Sequence, residues 1–145
     1  MIWAIDFLAT SIASGPYKDV AGTPQFSSPE WWKTYIAQKR LKSSGKPRPG
    51  HKRVTLSEKE IQRLENYTWD GSESEVWNLG IILFTMLHIE LPFKDYKEII
   101  GLDVRTRIAS NVSVLAYDLI CKLLDKDRKK RVTFEEVFQH PWLRE

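Results

Sequence analysis

The chain has 145 residues, 42% of them hydrophobic and 28% charged, with a formal net charge of +3; this composition fits one soluble globular core and excludes a disordered chain. Its longest apolar stretch, Val76 to Leu87, is interrupted by Asn78, Gly80 and Thr85 and is too short to span a bilayer. A single cysteine, Cys121, rules out an intrachain disulfide and favours a reducing cytoplasmic or nuclear compartment, and the first residues lack the basic n-region of a signal peptide.

In chain order, Met1 to Phe7 reads as a short strand that delivers Asp6 to its C-terminal end. Thr10 to Ser28 is small, polar and punctuated by Gly15-Pro16, Gly22 and Pro24, so it reads as loop. Pro29 then opens a short helix to Leu41, with Trp31, Tyr35 and Ile36 on one face. The segment from Lys33 through Ser57 holds eight Lys or Arg residues and no Asp or Glu, while the rest of the chain is net acidic. Such a field attracts phosphates, acidic peptides or nucleic acid; the plainer reading is a solvated loop, and nucleic acid is not the expected partner. Lys42 to Val54, rich in Lys, Arg, Ser, Gly and Pro, reads as a flexible insertion.

Capping-box spacing at Ser57 and Glu60 predicts a further short helix carrying Ile61 and Leu64. The same spacing at Ser72 and Glu75 opens Val76 to Leu87, apolar on nearly every side; such a helix belongs in the middle of a domain. Leu91-Pro92-Phe93 ends it, and Tyr96 to Ile100 begins another short helix. Ser113 to Leu124 places Leu115, Ala116, Leu119, Ile120, Leu123 and Leu124 at amphipathic helical spacing, with Cys121 read as a buried structural thiol. Thr133 and Glu136 form a third capping box before Val137 and Phe138, and His140-Pro141-Trp142 stops that helix. The histidines, His51, His88 and His140, are scattered, with no metal-binding spacing.

Four islands carry a resemblance. They are Ile5-Asp6-Phe7-Leu8; Gly22-Thr23-Pro24 through Ser28-Pro29-Glu30; Glu75-Val76-Trp77-Asn78-Leu79-Gly80 with Leu91-Pro92-Phe93; and Asp118-Leu119-Ile120 through Leu124-Asp125-Lys126-Asp127, Arg131-Val132-Thr133 and His140-Pro141-Trp142-Leu143. In this order the chain resembles the lower lobe of eukaryotic serine/threonine protein kinases, closest in wording to the PIM-like or calmodulin-dependent branches.

The resemblance implies a mainly α fold, the helical C-terminal lobe of the protein-kinase fold with its N-terminal lobe and catalytic loop absent. It divides the chain into residues 1–32, the activation-segment region; 33–70, the basic insertion with a short helix; and 71–145, the helical core. Asp6 matches the magnesium ligand and Thr23 the threonine that positions the catalytic loop, both vestigial here; Leu8 stands where the family has glycine. Glu30 and Arg131 match a buried structural ion pair. Glu75 takes the place of an aspartate that anchors the catalytic loop, one methylene too long, and Trp77 is structural. Ser11, Ser14 and Tyr17 lie where activating phosphorylation falls in the family.

A kinase also needs a glycine-rich loop, a strand lysine and a His-Arg-Asp loop, none of which is found in these residues. ATP and Mg2+ are therefore expected of the family and not of this chain alone. The expected role is a catalytically inactive, pseudokinase-like binding module whose partner is a protein or the missing upper half. The competing readings are an incomplete copy of an active serine/threonine kinase and a basic binder of nucleic acid or acidic surfaces acting through Lys39, Arg40, Lys52 and Arg53. The central helix, deprived of its cover, is expected to expose an apolar patch.

Overall fold

The computed structural model describes residues 24–43, 59 and 71–144. Besides Lys59, the described residues form α1 Pro29–Ser43, α2 Gly71–His88, α3 Tyr96–Gly101, α4 Val114–Leu123 and α5 Phe134–Phe138. Short 3-10 turns occupy Pro24–Phe26, Val104–Thr106 and Pro141–Leu143, and the described residues contain no strand. The predicted strand before Phe7, the phosphorylation candidates Ser11, Ser14 and Tyr17, and the predicted flexible insertion lie outside the described residues, apart from the first residues of that insertion. The helix expected after Ser57 lies outside them too, save Lys59, which is helical.

Helix α2 is the centre of the described residues because its sequence from Val76 onward is apolar on nearly every side. Val76, Trp77, Ile81, Leu83 and Phe84 are all buried, and they join Phe93, Ile99, Val104, Leu119, Ile120, Leu123, Leu124 and Val137 in one core. Burying each such side chain is worth about 1.5–3 kcal/mol against leaving it in water. The helix starts at Gly71, one residue before Ser72, so Ser72 lies inside the first turn and not ahead of it as the capping-box spacing predicts.

Helix α4 packs on α2 through Ala116, Leu119, Ile120 and Leu123, the buried positions of its amphipathic pattern. Ser113 caps it, its hydroxyl accepting the Ala116 N–H at 3.2 Å. The two helices approach closely because Gly80 has no side chain: a Cβ there would lie 2.7 Å from Leu124 Cδ2 and 2.8 Å from Leu123 Cβ. Asp95 caps α3 by accepting from Lys97 N and Glu98 N. Thr133 and Glu136 form a reciprocal capping box at the start of α5.

Helix α1 runs to Ser43, two residues past the expected end, so the first part of the basic segment is helical and the boundary set after residue 32 falls inside a helix. Trp32 anchors it, donating from Nε1 to Pro24 O at 3.1 Å and packing 5.3 Å from the ring of Tyr96. At the other end of α2, Ile89 stands in the left-handed region with φ 59° and is the described residue that closes the helix, its N–H donating to Thr85 O at 2.8 Å. That conformation favours glycine, and a β-branched side chain strains it. Among the described residues, no helix is long and apolar enough to cross a membrane.

Candidate functional site

The sequence places a glutamate at the second position of α1 and an arginine just before α5; the fold brings them together. Arg131 Nη1 lies 2.6 Å from Glu30 Oε1 and Nη2 lies 3.0 Å from Oε2, a two-pronged charge-assisted pair. The two side chains are 1% and 3% exposed, so neither charge has water to fall back on. The guanidinium is satisfied on its remaining edges: Nη1 also donates to Glu73 O at 2.6 Å and Nε to Asp125 O at 3.0 Å. One arginine thus ties α1, the first turn of α2 and the turn after α4 to a single point.

Two serines reinforce that junction. Ser74 on α2 donates its hydroxyl to Ser28 Oγ at 2.7 Å, and Ser28 Oγ also accepts the Trp31 N–H at 3.4 Å, inside the buried start of α1. Nothing in the sequence joins the two: Ser28 precedes Pro29 at the end of a polar loop, and Ser74 is a second serine at the start of α2.

Trp77 is fully buried. Its ring stacks on Phe93 with centroids 5.6 Å apart and takes the Arg131 guanidinium over its face at 5.1 Å. Its Nε1 has no hydrogen-bond partner. Lys126 approaches the same pair of rings, 3.6 Å from the Phe93 centroid and 4.7 Å from that of Trp77, and donates to Ile99 O at 2.7 Å at the end of α3. Burial pulls this amine down to about 7, against the attraction of Asp103 and together with the repulsion of Arg131. In the sequence Lys126 stands between two aspartates within the Leu124-Asp125-Lys126-Asp127 island, and nothing there shows that it meets the rings.

At the chain's far end His140 is buried. Its Nδ1 accepts from Trp142 N, so the proton sits on Nε2, which donates to Asp118 Oδ2 at 3.0 Å. Lys122 and then His140 hold the Asp118 carboxyl below the usual carboxylate range. Cys121 is only partly covered, and burial pushes its thiol up.

The remaining site candidates are not drawn together. Glu75 points into solvent and meets no described partner. It heads a stripe on α2, continued by Leu79 and Ile82, both half-buried, and by Met86, 74% exposed. The spacing of these four residues repeats one helical face. Asp6 and Thr23 lie outside the described residues. Among the described residues no group of three His, Cys, Asp or Glu side chains could hold a metal ion.

Comparison with known proteins agrees with this architecture. A family model described as the protein kinase domain matches residues 60–143. Serine/threonine-protein kinase ppk6 of Schizosaccharomyces pombe is 39% identical over 89 residues, covering 61% of this chain and 11% of that protein. The human SNF-related serine/threonine-protein kinase is 32% identical over 108 residues, covering 69% of the chain and 14% of the relative. Human death-associated protein kinase 2 is 30% identical over 149 residues, covering 96% of the chain and 31% of the relative. The chain therefore spans less than a third of the length of each of these relatives. The helical core, the Arg131 junction and these matches together place the chain in the protein kinase domain family, as a partial domain similar to serine/threonine kinases.

Proposed function

We propose that these residues form the substrate-side helical base of a serine/threonine protein-kinase domain, and that on their own they bind a partner and do not transfer phosphate. The observation that carries this reading is the uncovered stripe of α2. Glu75 and Met86 are exposed and Leu79 and Ile82 only half-covered, on a helix whose Val76, Trp77, Ile81, Leu83 and Phe84 are buried. An apolar stripe on a central helix is a seat for something else. The occupant is the upper half of a kinase domain, carrying the glycine-rich loop, the strand lysine and the His-Arg-Asp loop. Asp6 would then meet magnesium and Thr23 the catalytic loop, roles that rest on the resemblance of Ile5-Asp6-Phe7-Leu8 and Gly22-Thr23.

A second reading, part of an active kinase, is supported by the similarity of the chain to serine/threonine kinases over most of its length. Against it stand Leu8 in the glycine place and Glu75 in the aspartate place. One assay tests both readings: phosphate incorporation from radiolabelled ATP into mixed serine/threonine peptides, by the 145-residue chain alone and when joined to a kinase upper half. No incorporation in either case supports the binding-module reading. Incorporation only in the joined form, lost on Asp6→Asn, supports the active-kinase reading, and incorporation by the chain alone contradicts the proposal.

A further inference from the structure

Helices α1 and α3 meet at an aromatic shelf, on elements apart from the α2 stripe. The Trp32 ring lies 5.3 Å from that of Tyr96 and 5.7 Å from that of Tyr35, and Tyr35 stacks at 5.3 Å on the buried Trp31. We propose that this shelf is a docking surface for an acidic protein segment, which lays an aromatic side chain on the rings and sets its carboxylates against Lys39 and Lys97.

The rings are the first ground. Tyr35 is 37% and Tyr96 38% exposed, and the half-buried Trp32 touches both. Neither tyrosine hydroxyl has a hydrogen-bond partner among the described residues. Each phenol thus presents a ring face and a free donor, the combination that makes Tyr and Trp common at the centre of protein interfaces. The shelf is also held in place, since Trp32 Nε1 donates to Pro24 O at 3.1 Å and Trp31, under Tyr35, is buried. A surface already ordered leaves the ordering cost of docking to the partner.

Charge is the second ground, and it selects the occupant. The Lys39 amine stands 5.9 Å from the centre of the Tyr35 ring, and exposed Lys94 and Lys97 flank Tyr96 in the chain. None of these three amines has a carboxylate partner among the described residues. The carboxylates of α3 are engaged: Asp95 accepts from Lys97 N and Glu98 N as the helix cap, and Glu98 takes the Arg107 guanidinium at 3.0 Å. After Glu30, α1 carries no Asp or Glu through Ser43. A segment rich in carboxylates is drawn to such a rim, and one rich in lysine is repelled by it. Exposed ion pairs contribute little affinity by themselves, so specific docking needs the ring contact as well.

Fluorescence anisotropy on the 145-residue chain tests both parts. The probes are a labelled glutamate-rich peptide with a central phenylalanine, a twin with lysine for every glutamate, and a twin with serine for the phenylalanine. Tyr35→Ala removes a ring, and the double variant Lys39→Glu, Lys97→Glu reverses the charge. All three side chains are exposed, and circular dichroism checks that the helices remain. The glutamate–phenylalanine peptide is expected to bind at least about tenfold more tightly than either twin, and each variant to weaken it by about tenfold or more. Full binding of the serine twin, or full binding by Tyr35→Ala, reduces the contact to unspecific charge attraction and overturns the proposal. Binding unchanged in the double variant, no binding of the peptide, or tighter binding of a single-stranded oligonucleotide through the same residues overturns it equally.

Discussion

Arg131 and Glu30 stand 101 residues apart in sequence and meet as a bidentate pair, with Arg131 Nη1 2.6 Å from Glu30 Oε1 in a pocket closed to water. Removing one partner strands the other charge in that pocket. Glu30→Gln and Arg131→Met are each expected to destabilise the fold by about 3–5 kcal/mol, read by urea unfolding. The double replacement Glu30→Leu, Arg131→Met should cost less than the sum of its singles, because no unpaired charge remains. Additive losses would show that the two side chains do not depend on each other.

Gly80 is the point of closest approach between α2 and α4, where a methyl group has no room beside Leu124 and Leu123. Although alanine is the better helix former, Gly80→Ala should lower stability by about 1–3 kcal/mol through overpacking. A stabilised Gly80→Ala variant would mean that the helices can part without cost.

Ile89 carries the opposite prediction. Its φ of 59° strains a β-branched residue, and its side chain is 93% exposed, so it gains little from packing. Ile89→Gly should raise stability by about 1 kcal/mol, the relief of the left-handed conformation exceeding the added freedom of the unfolded chain. A loss of stability in thermal melts would show that the side chain is held by contacts worth more than the strain.

Lys126 links stability to pH. Its amine titrates at about 7 in the fold against 10.5 ordinarily. Below about pH 7 the ammonium is present in folded and unfolded chains alike, and its burial cost is borne in full. Between about pH 7 and 10 the unfolded chain binds the extra proton, so this group makes stability rise with pH. Lys126→Met, which keeps the stem against Phe93 and Trp77, should flatten that rise in urea melts across the window. An identical pH profile in the parent and the variant would contradict the assignment.

The fold was legible where local chemistry and tertiary demand agree. Thr133 and Glu136 cap the helix their spacing predicts, the helix read from Ser113 begins there, and Val76, Trp77, Ile81, Leu83 and Phe84 of the apolar run lie in the core. The end of α1 was misjudged because Lys42 and Ser43 read as insertion, while the helix simply continues through them. Ile89 was invisible, since nothing in a sequence shows a positive φ at isoleucine. Of the site, the pairing of Glu30 with Arg131 came only from resemblance; no local pattern joins residues so far apart. Ser28 and Lys126 lie inside islands of the resemblance that give them no partner, and only the packing shows what they and Ser74 meet.

The proposed seat on α2 for the other half of a kinase domain is tested most directly by co-expression. The chain is produced with and without a tagged polypeptide carrying a glycine-rich loop, strand lysine and His-Arg-Asp loop, and the soluble, co-purified chain is measured, with Met86→Glu as the altered seat. Met86 is 74% exposed, so the change does not touch the core. The parent chain is expected to form a stoichiometric complex with raised solubility, both lost in Met86→Glu. A chain that is equally soluble alone, melts cooperatively and ignores the upper half would contradict it.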